Sequence, residues 1–408
     1  MDRKPPLSFN SEILWRPYKL GSLITKIETG TNDLGKENIT DFPLLKMGNI
    51  QLGAFNLSKL EYLTKEQFNN SKKYIAKKGD FLFNTRNTLA LVGKAATWTI
   101  DDKNYVFNSN IARISLDDSK IYSHFLNYLY ATPSIWSQVK ARAVGTTSVA
   151  AVYPRDLSSI KILIPDLKEQ KKISMFFRQL DLRINLQQEK VDTFKEQKKG
   201  YIQKIFSQKL RFKNARGDSF PSWEEKYLKE ISDVRDGTHD SPRYYPSGYP
   251  LVTSKNLNSN GTLNSNDLNY ISKEDFEKVN KRSLVEDNDI LFGMIGTIGN
   301  PVKVSNPNFA IKNVALIKDN AGKFNNYLIH FLNSSHIEKQ FKLLLAGGTQ
   351  KFIGLNDIRH LKVLVPCEEE QVQIAQFLSL LDKKISLEEK ILNSYEQQKR
   401  AFMQQMFI

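Results

Sequence analysis

The sequence is poor in cysteine and has no long apolar run. Its 408 residues include one cysteine, Cys367, which excludes a disulfide framework and favours a reducing compartment. The opening residues, MDRKPPLSFN, lack the apolar core of a signal peptide, and no run of 18 apolar residues occurs. We therefore expect a soluble cytoplasmic protein that does not contact the membrane.

Motifs that would indicate catalysis or metal binding are missing as well. The glycines of GMIGTIG (293–299) lack G-x-G-x-x-G spacing, and a turn after a strand explains them better. No Asn/Asp-Pro-Pro-aromatic segment is present for methyl transfer to an amine. In PDLKEQK (165–171), the two halves of a metal-nuclease pattern are too close together for adjacent strands, and the five histidines have no zinc-type spacing. The sequence predicts a binding protein with no cofactor or metal of its own; an enzyme with unrecognised motifs is a weaker alternative.

Neither glycine nor proline interrupts residues 168–199, and apolar residues recur there in alternating steps of four and three. This period of 3.5 predicts a long helix that packs against another helix as a coiled coil. At about 1.5 Å per residue, forty residues form a rod of roughly 60 Å. The predicted apolar interface residues of this helix are Ile173, Phe177, Leu180, Ile184, Val191, Phe194 and Tyr201.

The same helix occurs a second time. Residues 161–207 align without a gap to 362–408, a shift of 201 residues, with fifteen identical positions. The polar breaks in the two apolar seams, Gln187 and Lys198 in one and Glu388 and Lys399 in the other, fall at the same steps. The chain is therefore a tandem duplication, and the second set of interface residues is Ile374, Leu378, Leu381, Ile385, Leu392, Tyr395 and Phe402.

The regions before the helices also correspond, but more loosely. PLLKMGNI (43–50) matches PLVTSKNL (250–257), and KGDFLFNTRNT (78–88) matches DNDILFGMIGT (287–297). Short apolar runs between Gly, Asn and Asp predict short strands in mixed or curved sheets, while 121–131 and 134–141 predict helices. The predicted fold is α+β, with two globular mixed domains, 1–165 and 214–366, each followed by a long helix, 166–213 and 367–408. Because the helices have drifted less than the domains, we infer that they serve one repeated partner while the domains read different things.

The charged residues of the seams predict how the helices pair. In a blunt-ended antiparallel pair, Lys198 lies beside Asp382 and Lys399 beside Asp181, whereas a parallel pair opposes two ammonium groups in an apolar seam. The charge balance agrees, because 168–213 carries 13 positive and 5 negative residues and 368–408 carries 5 and 7. We therefore predict an antiparallel coiled coil in a pseudo-two-fold arrangement, with the domains at opposite ends.

Basic residues are in excess, with 59 Lys and Arg against 44 Asp and Glu and a net charge of +15, which favours a polyanionic partner. Loops of both domains carry side chains that can bind base edges or phosphates, or stack on bases. Taken singly, each is an ordinary polar loop residue; their repeated placement in both domains favours the group. The candidates are Lys46, Asn49, Arg86, Thr146, Thr147, Ser148, His239, Arg243, Tyr244, Tyr245, Ser254, Lys255, Asn256, Thr349, Gln350 and Lys351.

With these features, almost the whole chain resembles the specificity subunit of a type I restriction–modification enzyme. The most specific element is the junction of proline, an acidic residue and Glu-Gln, found in IPDLKEQKKI (164–173) and VPCEEEQVQI (365–374). DGTHDSPRYY (236–245) and AGGTQKFIGLNDIRHLKVLVP (346–366) add to the likeness. The first domain departs from it, because GTTSVAAVYPRDL (145–157) lacks the glutamine that Gln350 supplies in the second.

The resemblance implies a non-catalytic reader of double-stranded DNA, in which each of two target recognition domains binds one half of a split sequence. It implies two adenine-methyltransferase subunits that carry S-adenosylmethionine, and two ATP- and Mg²⁺-dependent restriction subunits, assembled around the chain. Half-sites on one face of B-DNA lie about 34 Å apart, within reach of a 60 Å rod. The alternative is a basic coiled-coil scaffold that joins partners without reading DNA.

Overall fold

The computed structural model describes residues 5–7, 9, 14–101, 104–319, 324–345 and 352–407. The chain divides into two compact units. Unit 1 comprises Met1–Gln188 and Lys390–Ile408, and unit 2 comprises Glu189–Glu389. Each unit thus combines one predicted globular domain with part of each long helix.

Unit 1 is built from short strands in four small sheets. A four-stranded antiparallel sheet has the order β2-β9-β5-β7, a three-stranded sheet the order β4-β3-β8 with β3 and β8 parallel, and two others the orders β10-β11-β6 and β1-β12. The strands are β1 (Arg16–Lys19), β2 (Ile24–Thr29), β3 (Pro43–Leu45), β4 (Glu61–Tyr62), β5 (Phe81–Asn84), β6 (Arg86–Asn87), β7 (Ala95–Thr97), β8 (Val106–Phe107), β9 (Ile111–Leu116), β10 (Val144–Gly145), β11 (Ala150–Ala151) and β12 (Lys161–Ile164).

The helices of unit 1 are α1 (Lys65–Asn70), α2 (Ser123–Tyr130), α3 (Pro133–Lys140) and the first part of α4 (Leu167–Phe206). The predictions of helices at 121–131 and 134–141 are confirmed. Helix α1 was not predicted, although its sequence holds a capping box: the Thr64 hydroxyl accepts from the Gln67 N–H, and the Gln67 side chain accepts from the Thr64 N–H.

Unit 2 repeats this architecture. Its sheets have the orders β14-β20-β17-β18, β16-β15-β19 and β13-β21, and β15 pairs with β19 in parallel, as β3 does with β8. The strands are β13 (Glu224–Tyr227), β14 (Val234–Asp236), β15 (Tyr249–Thr253), β16 (Asn269–Ile271), β17 (Ile290–Gly293), β18 (Gly299–Lys303), β19 (Ala310–Lys312), β20 (Val314–Ile317) and β21 (Lys362–Val365). The helices are α5 (Leu228–Ile231), α6 (Lys273–Ser283), α7 (Phe324–Phe331), α8 (Ser335–Leu345), α9 (Leu355–Arg359) and α10 (Glu368–Met406), which extends into unit 1. The predicted α+β tandem repeat is confirmed.

The two long helices run antiparallel in each unit. In unit 2, Lys198 Nζ on α4 lies 2.5 Å from Asp382 Oδ1 on α10, and four residues earlier the Phe194 ring contacts Lys384 Nζ, 4.1 Å from its centroid. Residue numbers therefore rise on one helix as they fall on the other.

The same pairing recurs in unit 1, where Lys399 Nζ lies 2.5 Å from Asp181 Oδ1 and the rings of Phe176 and Phe402 are 5.1 Å apart. The antiparallel direction and both predicted lysine–aspartate pairs are confirmed. In the described part of the chain, no helix is long and apolar enough to cross a membrane.

The seam residues are mostly withdrawn from solvent. Ile173, Phe177, Leu180, Val191, Ile374, Leu378 and Ile385 are buried, and Ile184, Phe194, Leu381, Leu392, Tyr395 and Phe402 are half-buried. Tyr201, the most exposed member, packs its ring 5.0 Å from that of Phe377. The helices thus pack along the stripe that the 3.5-residue period selects.

The far end of each long helix enters a globular core. Ile205 and Phe206 of α4 belong to the core of unit 2, and Phe206 packs edge-on against Phe331 at 5.1 Å. Beyond α10, Phe407 packs against Trp15 in the core of unit 1, with ring centroids 6.0 Å apart. The predicted segments 166–213 and 367–408 follow the helices along the chain, whereas the boundaries between the compact units fall inside both helices.

The proline–glutamine junction before each helix has a structural explanation. The Gln170 side chain donates to the Pro165 carbonyl at 2.9 Å, and Gln371 donates to the Pro366 carbonyl at 2.8 Å. Each glutamine lies in the first turn of its helix and binds the carbonyl of the proline two residues before the helix begins. The bond ties the start of each long helix to the segment that follows the last strand of each domain.

Candidate nucleic-acid interface

Several loops of unit 2 are joined at one edge by a chain of hydrogen bonds. His239 Nδ1 lies 2.8 Å from Asn313 Oδ1, and the Ser254 hydroxyl donates to the Asn313 carbonyl at 2.9 Å. The Met294 N–H donates to that same hydroxyl at 3.3 Å, and the Ile353 N–H donates to the Met294 carbonyl at 2.9 Å. These contacts bring loops more than 100 residues apart in the chain into one surface. We call the loops around His239, Ser254, Met294, Asn313 and Ile353 the unit-2 loop edge.

Unit 1 has an equivalent surface. The Asn84 side chain donates to the Met47 carbonyl at 3.2 Å, and the Val152 N–H donates to the Thr85 carbonyl at 3.0 Å. Strand β6 pairs with β11, so Arg86 lies opposite Ala151. These loops hold the candidates Lys46, Arg86 and 146–148; we call them the unit-1 loop edge.

Two candidates prove to be buried parts of these loops. Asn49 is 6% exposed; its Oδ1 accepts from the Lys46 N–H at 2.8 Å, and its Nδ2 donates to the Asn56 and Lys59 carbonyls at 2.9 and 2.8 Å. Asn256, 1% exposed, accepts from the Thr253 N–H at 2.9 Å. The prediction that these two asparagines contact bases needs correction, because their amide groups are used to hold the loop together.

Ser254 needs the same correction. It is 5% exposed, and its hydroxyl is already bonded as donor to Asn313 and as acceptor from Met294. Lys46 and Lys255 remain accessible, but each pairs with an acid, Glu61 at 2.5 Å and Asp267 at 3.1 Å. Their charge is thus partly offset within the chain.

The contacts of His239 favour its protonated form. Its Nε2 lies 2.8 Å from Asp236 Oδ2, opposite the contact of Nδ1 with Asn313. The hydrogen bond to Asn313 and then that to Asp236 raise the pKa of His239, because both favour a ring protonated on both nitrogens; the neighbouring Arg282, which also pairs with Asp236, opposes this. The side chain of His239 is 55% exposed, so the ring faces solvent.

The remaining candidates of unit 2 that the structure describes are exposed. The Arg243 guanidinium lies over the Tyr245 ring, 5.6 Å from its centroid, and Tyr244 and Tyr245 are 47% and 40% exposed. Nearby, Lys312 Nζ donates to the Ser241 hydroxyl at 2.9 Å. The loop thus presents cations and aromatic faces together, as a surface for phosphates and bases requires.

In unit 1, Arg86, Thr146, Thr147 and Ser148 are all exposed. Thr146 Oγ1 lies 3.3 Å from Ser148 Oγ at the turn between β10 and β11. Thr349, Gln350 and Lys351 lie outside the described residues. No group of three or more His, Cys, Asp or Glu side chains among the described residues is placed to hold a metal ion.

Sequence reasoning missed two residues of the unit-2 loop edge. Ile295 and Phe352 form an antiparallel bridge and are 40% and 50% exposed. The signal was available, because the alignment of 78–88 with 287–297 places Ile295 against Arg86. Apolar residues in a strand-rich region are ordinarily assigned to the core, so the alignment alone did not make Ile295 a candidate.

Comparison with known protein families identifies the chain. The model described as type I restriction modification DNA specificity domain matches residues 12–195 and again 221–397. The chain therefore belongs to the family of type I restriction–modification specificity subunits, with two target recognition domains.

Individual relatives agree along nearly the whole chain. It is 25% identical over 404 residues to a putative type I restriction enzyme MjaX specificity subunit of Methanocaldococcus jannaschii, covering 95% of this chain and 92% of the relative. It is 21% identical over 372 residues to the EcoKI specificity subunit of Escherichia coli K12, covering 86% and 78%.

Solved structures share the fold. The S subunit of a type I restriction–modification system from M. genitalium superposes with a TM-score of 0.64 at 19% identity, covering 100% of this chain and 99% of that one. A chain from a structure concerned with complex assembly and conformational transition of a type I system gives a TM-score of 0.56 at 17% identity, covering 98% of both.

Proposed function

We propose that the two target recognition domains each read one half of a bipartite DNA sequence. The observation that carries the proposal is that equivalent loop edges have the same backbone arrangement but different side chains. Unit 1 presents Arg86 and the hydroxyls of 146–148, whereas unit 2 presents His239, Arg243 and two tyrosines. Arg matches the acceptors of guanine in the major groove, and aromatic and hydroxyl groups contact other base features. Different half-sites follow from these differences.

The long helices set the distance between the half-sites. Helices α4 and α10 are continuous over 40 and 39 residues, about 60 Å each at 1.5 Å per residue. Side chains buried along both helices resist a change of register, since a shift would expose them. Helices of this length are long enough to span half-sites one helical turn apart, about 34 Å.

The same helices hold the partner subunits. In unit 1, Met175, Leu182 and Leu186 of α4 are 64%, 51% and 55% exposed and share one helix face, being seven and four residues apart. In unit 2, Leu380 and Leu387 of α10 are 63% and 58% exposed, and Leu380 borders a groove of about 560 Å³. Exposed apolar stripes of this kind favour helix-on-helix association.

The occupants we propose for these stripes are two adenine-methyltransferase subunits that carry S-adenosylmethionine. Two restriction subunits that use ATP and Mg²⁺ join the assembly. The chain itself supplies recognition and no catalytic step. A solved relative from a study of complex assembly in a type I system supports the existence of such partners.

The test is to express the chain with its cognate methyltransferase and map N6-methyladenine across a genome. We expect a bipartite motif with a fixed unspecified spacer. Exchanging residues 15–159 for the equivalent domain of a relative should change one half-site only, because each unit has its own loop edge. A four-residue insertion in α4 should alter the spacer or abolish assembly, because it rotates the seam.

Three results would contradict the proposal. A continuous motif would refute two independent readers, as would a domain exchange that changes both half-sites. Equal binding to random and selected duplexes would instead favour a basic scaffold that joins partners without reading sequence.

A further inference from the structure

The exposed pair Ile295–Phe352 stands out within the unit-2 loop edge because it is apolar. The neighbouring residues Met294 and Ile353 are each 1% exposed, so the chain alternates between core and solvent on both sides of the bridge. Side chains directly opposite each other on paired strands lie on the same face. Ile295 and Phe352 therefore form one continuous apolar surface, directed away from the core of unit 2.

The backbone around Ile295 holds this surface in place. A Cβ at Gly293 would overlap the carbonyl of Thr297, and Gly296 and Gly299 have φ values of +70° and +86°. The turn between β17 and β18 therefore requires glycine for its close approach and its left-handed positions. A turn fixed in this way presents Ile295 at a defined position rather than as part of a flexible loop.

Unit 1 places a different pair at the same position. Arg86 lies opposite Ala151, and the Val152 N–H bonds the Thr85 carbonyl at 3.0 Å. In unit 2, Ile295 lies opposite Phe352, and the next bond, from Ile353 to Met294, measures 2.9 Å. Arg86 and Ile295 are therefore equivalent, and a guanidinium in one domain is replaced by an apolar surface in the other.

The chemistry of base edges suggests a different base for Arg86 and for the Ile295–Phe352 pair. In the major groove, guanine offers two acceptors that suit arginine, whereas thymine is distinguished by an apolar C5-methyl group. The apolar pair belongs to the same hydrogen-bonded set of loops as His239, whose contacts favour the protonated form that suits a phosphate. We propose that Ile295 and Phe352 bind the C5-methyl group of a thymine in the half-site read by unit 2. This inference rests on the proposed function.

The test removes that methyl group alone. The full chain is purified with its methyltransferase partners, and the half-site of unit 2 is identified as the one unaffected by exchange of residues 15–159. Each thymine of that half-site is replaced in turn by deoxyuridine, and affinity is measured by competition. For the native chain we expect one position at which deoxyuridine weakens binding about fourfold, as loss of one buried methyl group predicts.

The double variant Ile295→Ala/Phe352→Ala should bind thymine and deoxyuridine equally at that position. Leu284→Ala is the matched control, because Leu284 is 48% exposed at the end of α6 in the same unit. It should retain the native discrimination, and deoxyuridine in the other half-site should affect all three proteins equally. Native discrimination at the other positions of the unit-2 half-site shows that unit 2 of the double variant is folded.

Two failures are distinguishable. Suppose that the native complex selects a bipartite target, but that no replacement of thymine by deoxyuridine lowers its affinity more than it lowers that of the double variant. This inference is then overturned while the proposed function stands. If the complex selects no bipartite target, the proposed function is overturned and this inference with it.

Discussion

The long helices and the recognition domains have responded differently to the same duplication. In the helices, both copies keep an apolar seam of the same period and the same lysine–aspartate contact: Lys198–Asp382 and Lys399–Asp181 each measure 2.5 Å. In the domains, the strand order is kept while the surface changes, down to an arginine in one copy and an isoleucine in the other. The difference indicates that the helices satisfy one constraint twice, whereas each domain satisfies a constraint of its own.

The difference extends to residues that touch the helices. In unit 1, the Tyr128 hydroxyl donates to Asp181 Oδ2 at 2.7 Å. In unit 2, the corresponding acid, Asp382, has His330 Nδ1 at 3.8 Å instead. The aspartate of the helix is thus the same in both copies, while the domain residue that approaches it differs.

The largest expected effect comes from the seam. Phe177 is fully buried, with its ring 5.1 Å from Tyr128 and 5.6 Å from Phe407. Phe177→Ala should lower the free energy of unfolding by about 3–5 kcal/mol, because it leaves a cavity between helix and domain. Urea unfolding of the full chain measures this.

Leu186→Ala is the control for Phe177→Ala, since Leu186 is 55% exposed on the same helix. It should change stability by less than about 0.5 kcal/mol while weakening co-purification with the methyltransferase. Equal losses of stability in the two variants would show that the seam is not the stabilising face.

A smaller effect should depend on pH and arise at His330 of unit 2. Burial, followed by Lys198 and Lys303, lowers the pKa of His330 from 6.5 to about 3. The folded state therefore binds fewer protons than the unfolded state between these values. The free energy of unfolding is therefore unaffected by His330 above pH 6.5. Between pH 6.5 and 3 it falls with decreasing pH, by up to about 1.4 kcal/mol per pH unit.

Comparing urea midpoints at pH 7 and pH 5 tests this expectation. The native chain should lose more stability than His330→Gln, which has no titrating group at position 330. If both proteins lose the same amount, His330 does not confer acid sensitivity on unit 2.

The smallest effect should be the same in both units. The side chains of Lys198 and Asp382 are 21% and 46% exposed, so solvent screens their attraction. Lys198→Met and Lys399→Met should each cost no more than about 1 kcal/mol of stability, in similar amounts. Double-mutant cycles with Asp382→Asn and Asp181→Asn measure each pair, and clearly unequal couplings would break the equivalence of the two copies.

The helices could be predicted from the sequence in detail because their information is local. A period of 3.5 residues defines the seam, and a repeat of that period fixes which charged residues can meet. Strand order required contacts between distant segments, so only the presence of short strands was predictable. Helices α1 and α6 were missed although Thr64 and Ser272 each accept a backbone N–H as N-caps.

The exposure of the candidate site residues could be predicted only in part. Arg86, His239 and Arg243 are exposed at loop edges, as a binding role requires. Asn49 and Asn256 are chemically suited to adenine but are buried, and burial depends on tertiary packing that residue type does not reveal. Ile295 was overlooked for the opposite reason, because an apolar residue gives no sign of exposure in the sequence.

The position of Phe407 has a consequence for how the protein is made. Trp15 and Phe125 in the core of unit 1 pack against this ring, at 6.0 and 5.6 Å, although it is synthesised nearly 400 residues after Trp15. The core of unit 1 therefore cannot be completed when its globular part has been synthesised. It must wait, partly assembled, until α10 and Phe407 have also been synthesised, which makes closure of this long-range contact a late step of folding.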